Sequence, residues 1–184
     1  LVVALTVLPV VMFRWVPVPT TSFIIHQQID NAFDAKKHPP LRHDWQPMEK
    51  ISRWAQLAVI AAEDGKFCQH NGFDTEAIQQ AIEKNARVMA GESGRLRGGS
   101  TISQQTAKNL FLWQGTGPTR WLRKGLEVWY TALIEVLWPK QRILEVYANI
   151  AEFGDGVYGG QAAARSFFRK DAAKLSAGEA ARLA

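Results

Sequence analysis

The sequence is poor in cysteine. Cys68 stands alone, so no disulfide can form within the chain and no cysteine-rich metal site is available. A single thiol beside Phe67 is typical of a buried or half-buried side chain rather than of a nucleophile. Cysteine content therefore does not indicate the compartment in which the protein works.

The signatures of several common functions are also missing. The sequence has no GK[ST] phosphate loop, no GxGxxG after a predicted strand, no HExxH, no CxxC and no GxSxG. Basic and aromatic residues do not alternate as they do on nucleic-acid-binding surfaces. These absences argue against a nucleotide, a flavin or a structural metal, and against a nucleic-acid partner.

What is present is a chain of 184 residues, 47% hydrophobic, which is enough for one domain with a core. Its net charge of +5 favours anionic partners such as phosphates or acidic lipid headgroups. Charge alone does not choose among them.

The N-terminal stretch is apolar over residues 1–13 apart from Thr6, and Arg14 and Trp15 follow it. The stretch is shorter than the roughly 20 residues of a membrane span, so by itself it also fits a signal-peptide core or a buried segment. The flanking residues favour the end of a transmembrane anchor. We predict a truncated anchor over residues 1–18, a connector over 19–46 and one domain over 47–184, truncated at its C-terminus.

The domain shows helical periodicity and no run of alternating strand residues, which predicts an all-α fold. Asp74 is the expected N-cap of a helix that stops at Gly91, and Ser176 with Glu179 forms a capping box for the last helix. Further helices are expected from residue 47 to Glu63, and over residues 118–138, 140–153 and 159–168. In the helix over 118–138 the residues expected to face inward are Leu122, Leu126, Trp129, Leu133 and Val136.

A candidate anion site lies in residues 97–111, RGGSTISQQTAKNLF. Arg97 and two glycines precede Ser100, which can act as the N-cap of a helix whose free N–H groups attract anions. Ser100, Gln104 and Lys108 share one helix face at a spacing of four residues, with Gln105 beside them. A solvated helix face behind a flexible loop explains the same residues.

Two carboxylates are candidates for proton transfer or electrostatic work. Glu63 leaves the apolar run LAVIAA, so we expect partial desolvation and a raised pKa suited to a base. Glu127 lies four residues after Arg123 and three after Lys124, a spacing that keeps it ionised. The alternatives are a solvated turn in which Asp64 and His70 bond the loop together, and a helix surface with ordinary ion pairs.

Five motifs in order resemble those of the peptidoglycan glycosyltransferase family. They are EDGKFCQHNGFD at residues 63–74, GRLRGGSTISQQTAKNLF at 94–111, RKGLE at 123–127, KQRILEVYANIAEFGDGVYG at 140–159 and AAARSFFRK at 162–170. The resemblance covers about residues 54–184. It implies a lysozyme-like, two-lobed helical domain behind an N-terminal transmembrane anchor, of which residues 1–18 are the remnant.

The resemblance also implies roles for individual residues. Glu63 matches the catalytic base and Glu127 the second glutamate. The residues that match substrate-binding positions are Arg97, Ser100, Gln104, Gln105, Lys108, Asn109, Arg123 and Lys124. No cofactor or protein-held metal is required, and a divalent cation, Mg or Mn, is an optional companion of the diphosphate.

The implied reaction is polymerisation of lipid II into β-1,4-linked glycan strands, with release of undecaprenyl diphosphate. Expected partners are lipid II, the growing lipid-linked chain, the membrane and other cell-wall synthesis proteins, but no nucleic acid. The expected location is the bacterial inner membrane, single-pass, with the catalytic domain on the periplasmic face. Two alternatives stay open: a lysozyme-like enzyme that cleaves glycan, and a basic helical scaffold without catalysis.

Overall fold

A computed structural model describes residues 2–33, 39–96, 98–114 and 117–184. Most of these residues are helical, so the all-α class is confirmed at that level. The helices are α1 (Val2–Phe13), α2 (Ser22–Phe33), α3 (Arg53–Glu63), α4 (Thr75–Met89), α5 (Ile102–Phe111), α6 (Arg120–Leu137), α7 (Lys140–Ile150), α8 (Gly160–Ala163) and α9 (Ala177–Leu183). Short 3-10 turns cover Met48–Lys50 and Ala172–Lys174, and a π-helical turn covers Ala164–Phe168.

The predicted N-caps of α4 and α9 are confirmed, whereas the helix expected from residue 47 begins only at Arg53. Asp74 Oδ1 accepts a hydrogen bond from Ala77 N–H at 2.8 Å, as expected of an N-cap. Ser176 and Glu179 form the predicted capping box at the start of α9. The start of α5 differs by one residue, because Thr101 rather than Ser100 is its N-cap.

A small sheet was missed by the sequence analysis. It consists of β1 (Arg42–His43), β2 (Glu152–Gly154) and β3 (Val157–Tyr158). β3 pairs in parallel with β1 and antiparallel with β2. Strands of two or three residues are too short to show alternation in the sequence. Because the chain enters β2, α7 ends at Ile150 and not at the predicted residue 153.

The core is built around α5 and α7. Helix α5 packs against both α6 and α7, and most of the residues of α5 and α7 are buried. Fully buried apolar side chains in this core include Phe67, Ile102, Ile134, Ile143 and Val146. Cys68 is exposed, which corrects the expected burial of its thiol, because its neighbour Phe67 takes the place in the core.

Of the five residues of α6 predicted to face inward, Leu133 packs against the core and Leu126 is half-buried, but the other three are not buried. Leu122, Trp129 and Val136 are exposed, whereas Glu127 and Ile134 are buried. Hydrophobic periodicity shows that a helix has an apolar face, but it does not show what that face contacts. The same periodicity results whether the face packs against the protein core or not. The inward side instead includes a carboxylate whose charge is paired.

The N-terminal helix is fastened to the helical core at its C-terminal end. Trp138 Nε1 donates to Val10 O at 2.7 Å. Arg142 donates from Nε to Phe13 O at 3.0 Å and from Nη2 to Val16 O at 2.6 Å. Within the described ranges, no helix combines the length and the apolar character that crossing a membrane requires. The truncated anchor stays a prediction.

The predicted connector is also tied to the core. The side chain of Asn149 on α7 accepts from Gln46 N–H at 2.7 Å and donates to Gln46 O at 2.8 Å. His43 Nε2 lies 3.1 Å from Asn149 O. The domain boundaries at residues 18 and 46 stay predictions, but His43 and Gln46 of the predicted connector both contact α7.

Candidate active site

Helix α3 brings Glu63 to the edge of a cleft. The helix begins after Ser52, whose side chain accepts from Trp54 N–H, and it ends at Glu63. The cleft beside it has a volume of about 800 Å³. Its walls are the end of α3, the start of α4, the segment before α5 and one side of α5. The polar residues among them include Glu63, Asp64, Lys66, Asp74, Glu76, Gln80, Ser100, Gln105 and Lys108.

Asp64, the next residue, has a structural part. Its two carboxylate oxygens lie 2.9 and 3.0 Å from His70 Nε2, and Oδ2 also accepts from Ile102 N–H at 3.0 Å. Gly72 N–H donates to His70 Nδ1 at 3.1 Å, so Nε2 carries a proton and donates to Asp64. The expected bonding of the loop by Asp64 and His70 is confirmed. It fixes the residues after Glu63 to the start of α5.

Glu63 itself opens into the cleft. Its side chain is exposed, which corrects the partial desolvation expected from the apolar run before it. The preceding Ala61 and Ala62 are exposed too, and their methyl groups are too small to cover the carboxylate. Gln105 Nε2 donates to Glu63 Oε2 at 2.7 Å. The carboxylate is thus oriented by a neutral donor and accessible to a substrate.

The two glutamines of α5 have different environments. Gln104 is buried, and its Oε1 accepts from Thr101 N–H at 3.1 Å, which completes the capping box of the helix. Its amide is therefore turned toward the start of its own helix and not into the cleft, contrary to the shared face expected for Ser100, Gln104 and Lys108. Gln105 faces the cleft in its place.

The other candidates from this motif are spread around the cleft. Ser100 is exposed and lines it, but it lies before the helix. Asn109 is buried, its backbone oxygen accepts from Ser22 Oγ at 3.1 Å, and its Oδ1 has no partner among the described residues. It does not belong to the cleft lining. Arg97 lies outside the described residues.

Lys108 lines the cleft one turn beyond Gln105. Burial lowers the pKa of its ammonium group, and the positive charges of Arg123 and Lys124 lower it further, while Glu127 and Glu63 act in the opposite direction. The ammonium also lies 5.8 Å from the centre of the Phe23 ring. The charges of both glutamates therefore act on Lys108.

Glu127 is a buried carboxylate with two cationic partners. Lys124 Nζ lies 2.5 Å from Oε1, and Arg123 Nη1 lies 3.3 Å from Oε2. The expected ion pairing on α6 is confirmed, although it is buried rather than a surface feature. The Nε atom of Arg123 is buried and has no hydrogen-bond partner in the described part of the chain.

Two parts of the site were not predicted. Tyr147, expected only as a core residue of α7, has its hydroxyl 3.4 Å from Gln105 Oε1. Glu76 and Gln80 of α4 line the cleft, and their spacing of four residues on one helix face was an available signal. Tyr147 and Gln105 are 42 residues apart in the sequence, so their contact produces no local sequence pattern from which it could be predicted.

No group of three or more His, Cys, Asp or Glu side chains suited to a metal ion occurs in residues 2–33, 39–96, 98–114 and 117–184. The described side chains do not form a protein-held metal centre. The chemistry they offer is an open carboxylate, a half-buried ammonium and a buried ion pair with a spare N–H.

Comparison with known proteins identifies the family of the chain. The family described as Transglycosylase matches residues 30–184. The chain belongs to the transglycosylase family. This membership confirms the resemblance on which the sequence analysis relied, and it makes the chain a glycosyl-transferring enzyme. The match begins at residue 30, so it includes most of the predicted connector as well as the helices around the cleft.

Named relatives of this transglycosylase cover nearly all of the chain. A biosynthetic peptidoglycan transglycosylase of Xanthomonas campestris pv. campestris (strain B100) is 49% identical over 98% of this chain and 70% of the relative. Proteins with the same name from Pasteurella multocida (strain Pm70) and Pseudomonas syringae pv. syringae (strain B728a) are 51% and 50% identical. They cover 95% and 97% of this chain, and 68% and 72% of their own lengths are matched.

Proposed function

We propose that this transglycosylase polymerises lipid II, the lipid-linked disaccharide-peptide, into the β-1,4-linked glycan strands of peptidoglycan and releases undecaprenyl diphosphate. The observation that carries the proposal is the pairing, in one cleft, of the open carboxylate of Glu63 with the half-buried ammonium of Lys108. Polymerisation needs a base for a hydroxyl and positive charge for a diphosphate, and the cleft supplies both. The names of the relatives support the same product.

In the proposed reaction the 4-hydroxyl of the acceptor sugar attacks C1 of the growing chain. Glu63 takes the hydroxyl proton as the new O4–C1 bond forms. The bond from C1 to the diphosphate oxygen breaks, and the diphosphate leaves with the electron pair. Attack from the side opposite the leaving group converts an α-linked donor into a β-1,4 bond. An exposed carboxylate suits this role, because the acceptor must approach it directly.

The diphosphate is assigned to the cationic end of the site. Lys108, Arg123 and Lys124 form one electrostatic group around Glu127. The buried N–H of Arg123 Nε is a donor of the kind that a phosphate oxygen accepts well. Glu127 holds these cations in place and limits their mutual repulsion until the diphosphate arrives. No protein-held metal is part of the proposal.

A glycan-cleaving enzyme is the second candidate. It needs a carboxylic acid in a saccharide groove, and Glu63 in its cleft offers that much. The cluster of Lys108, Arg123 and Lys124 favours polymerisation, because hydrolysis of a glycosidic bond releases a sugar hydroxyl and no diphosphate.

One experiment separates the candidates. The protein in detergent is incubated with lipid II in one tube and with finished glycan in another, and the products are analysed by size and by released lipid diphosphate. Polymer and lipid diphosphate in the first tube, with unchanged glycan in the second, supports the proposal. Shortened glycan without polymer supports the cleaving enzyme, and inertness toward both supports a scaffold.

We further propose attachment to the bacterial inner membrane by a single-pass anchor, with the two-lobed, lysozyme-like catalytic domain on the periplasmic face near other cell-wall synthesis proteins. Exposed apolar side chains on α1, just after it and on α6 support this, and they include Leu5, Leu8, Met12, Trp15, Trp121, Leu122, Trp129 and Val136. Flotation with liposomes tests it. We expect wild-type protein to float and a Leu122→Lys, Trp129→Lys double variant to float less. Equal flotation would remove α6 from the membrane contact.

A further inference from the structure

Tyr147 of α7 lies beneath the wall of the cleft. Its side chain is buried, at 6% exposure, and its hydroxyl lies 3.4 Å from Gln105 Oε1. Among the described residues, Gln105 Oε1 is the hydrogen-bond partner of the Tyr147 hydroxyl. On its other side the Gln105 amide donates from Nε2 to Glu63 Oε2 at 2.7 Å. Tyr147, Gln105 and Glu63 thus form one line from the core to the cleft.

The hydrogen-bonding properties of Glu63 and Tyr147 define the orientation of the Gln105 amide between them. An ionised carboxylate only accepts hydrogen bonds, so Glu63 requires the NH₂ end of Gln105. Burial and the nearby charge of Glu63 raise the pKa of the Tyr147 hydroxyl, so it keeps its proton and acts as a donor. A donor requires the oxygen end of the amide. Both contacts therefore favour the same orientation, and the reverse one would place Oε1 against a carboxylate.

This orientation matters for proton transfer. Gln105 has several rotatable bonds and is only partly buried, so a single contact to Glu63 would leave its amide free to move. Two contacts restrict it. Because Oε2 of Glu63 is occupied by the amide, Oε1 is the atom left open to the acceptor hydroxyl. Catalytic groups need such support to within a fraction of an ångström.

We propose that Tyr147 is a positioning residue for the transfer reaction: its hydroxyl holds the Gln105 amide toward Glu63, so that Glu63 presents Oε1 to the acceptor. The inference rests on the proposed function, in which Glu63 is the base. Tyr147 touches neither sugar nor diphosphate, and it acts through Gln105.

The test is Tyr147→Phe, which keeps the ring in the core and removes only the hydroxyl. We expect kcat for polymerisation of lipid II to fall about fivefold to tenfold, the size expected from one neutral hydrogen bond. KM and Tm should stay near the wild-type values, because neither substrate binding nor core packing depends on the hydroxyl. Tyr158→Phe is the matched control. Tyr158 is also a buried tyrosine, but its hydroxyl interacts with Glu152, so its loss should leave kcat unchanged.

A double-variant comparison makes the test specific. Gln105→Ala removes the amide through which Tyr147 acts, so adding Tyr147→Phe to it should cause no further loss of kcat. Wild-type kcat in Tyr147→Phe, an equal further loss in the Gln105→Ala background, or a large fall in Tm would each overturn the proposal. A wild-type enzyme that forms no polymer from lipid II would instead refute the proposed function, so the two failures are distinguishable.

Discussion

The two glutamates of the site differ in almost every physical respect. Glu63 is exposed and lies at the end of a helix, and its donor among the described residues is the neutral amide of Gln105. Glu127 is buried in the middle of a helix and is held by two cations, Arg123 and Lys124. An open carboxylate can exchange a proton with a ligand, whereas a buried carboxylate paired with cations fixes charge. The comparison shows that the role of a glutamate in this site depends on its exposure and its charge partners. Its position in a sequence motif is not enough to define that role.

The largest expected effect is on Glu63→Gln. It should lower the polymerisation rate about 10³- to 10⁴-fold, the upper range for loss of a general base. Tm should change little, because the side chain is exposed. Initial rates with lipid II and a thermal melt measure the two quantities. Near-normal turnover in Glu63→Gln would give the base to another residue.

Glu127→Gln should show the reverse pattern. The substitution leaves the mostly buried Arg123 without its charge partner, so we expect the free energy of unfolding to fall by about 2–3 kcal/mol. This loss is somewhat below the usual range for a broken buried ion pair, because the second partner, Lys124, is partly exposed. Activity should be reduced but measurable at a temperature where the variant is folded. A fully stable but inactive Glu127→Gln would overturn the division of roles.

The cationic group should be next in size. Lys108→Ala removes a charge that the leaving diphosphate needs, and we expect a loss of about 10²- to 10³-fold in kcat. Lys140→Ala is a matched control, since Lys140 pairs with Glu135 and is not part of the cleft lining. Release of lipid diphosphate is the readout. Similar losses in both variants would indicate a general effect of charge and not a contact with the leaving group.

A smaller effect concerns pH. Burial lowers the pKa of Lys108, so in the proposed reaction kcat/KM should begin to fall at a lower pH than an ordinary lysine, near 10.4, would allow. Lys108→Arg should move this basic limb upward, because arginine stays charged. An unmoved limb in Lys108→Arg would assign it to another group.

The same lowered pKa has a consequence for stability. Between the lowered value and the ordinary one, the unfolded chain binds more protons than the folded protein. The contribution of Lys108 to the free energy of unfolding therefore rises with pH through that window. Comparison of wild type with Lys108→Met by urea unfolding isolates this contribution, which Lys108→Met should lack. A rise of the same size in Lys108→Met would contradict it.

The smallest expected effects are those of replacing the neighbouring glutamines of α5, and the two variants should differ in which property changes. Gln104→Ala should cost about 1 kcal/mol of stability, because it breaks the capping box, and should leave kcat unchanged. Gln105→Ala should lower kcat and leave stability unchanged, because Gln105 supports Glu63. Equal effects of both variants on kcat would mean that Gln104 also reaches the substrate.

The sequence predicts well where physical causes are local. Asp74 and Ser176 cap helices through backbone groups a few residues away, so their roles follow from the sequence. Glu127 with its cations was predictable for the same reason, since all three lie within one turn of one helix.

Sequence reasoning fails where contacts depend on tertiary packing. The exposure of Glu63 depends on what faces the end of α3 across the cleft, and the contact of Tyr147 depends on how α7 crosses α5. Neither has a periodic signature. The outward side of α6 is a related failure, because the pattern gives an apolar stripe without saying which medium it meets.

The hydrogen bonds of Trp138 and Arg142 to the end of α1 have a mechanical meaning. They hold α1 in a fixed orientation relative to the helical core, whereas a flexible linker would let it move. With α1 in the bilayer, as proposed, the cleft stands at one height and one tilt above the lipid surface, and the enzyme does not swing to follow its product. In the proposed reaction, sugar units are then added at a Glu63 whose height above the lipid surface does not change.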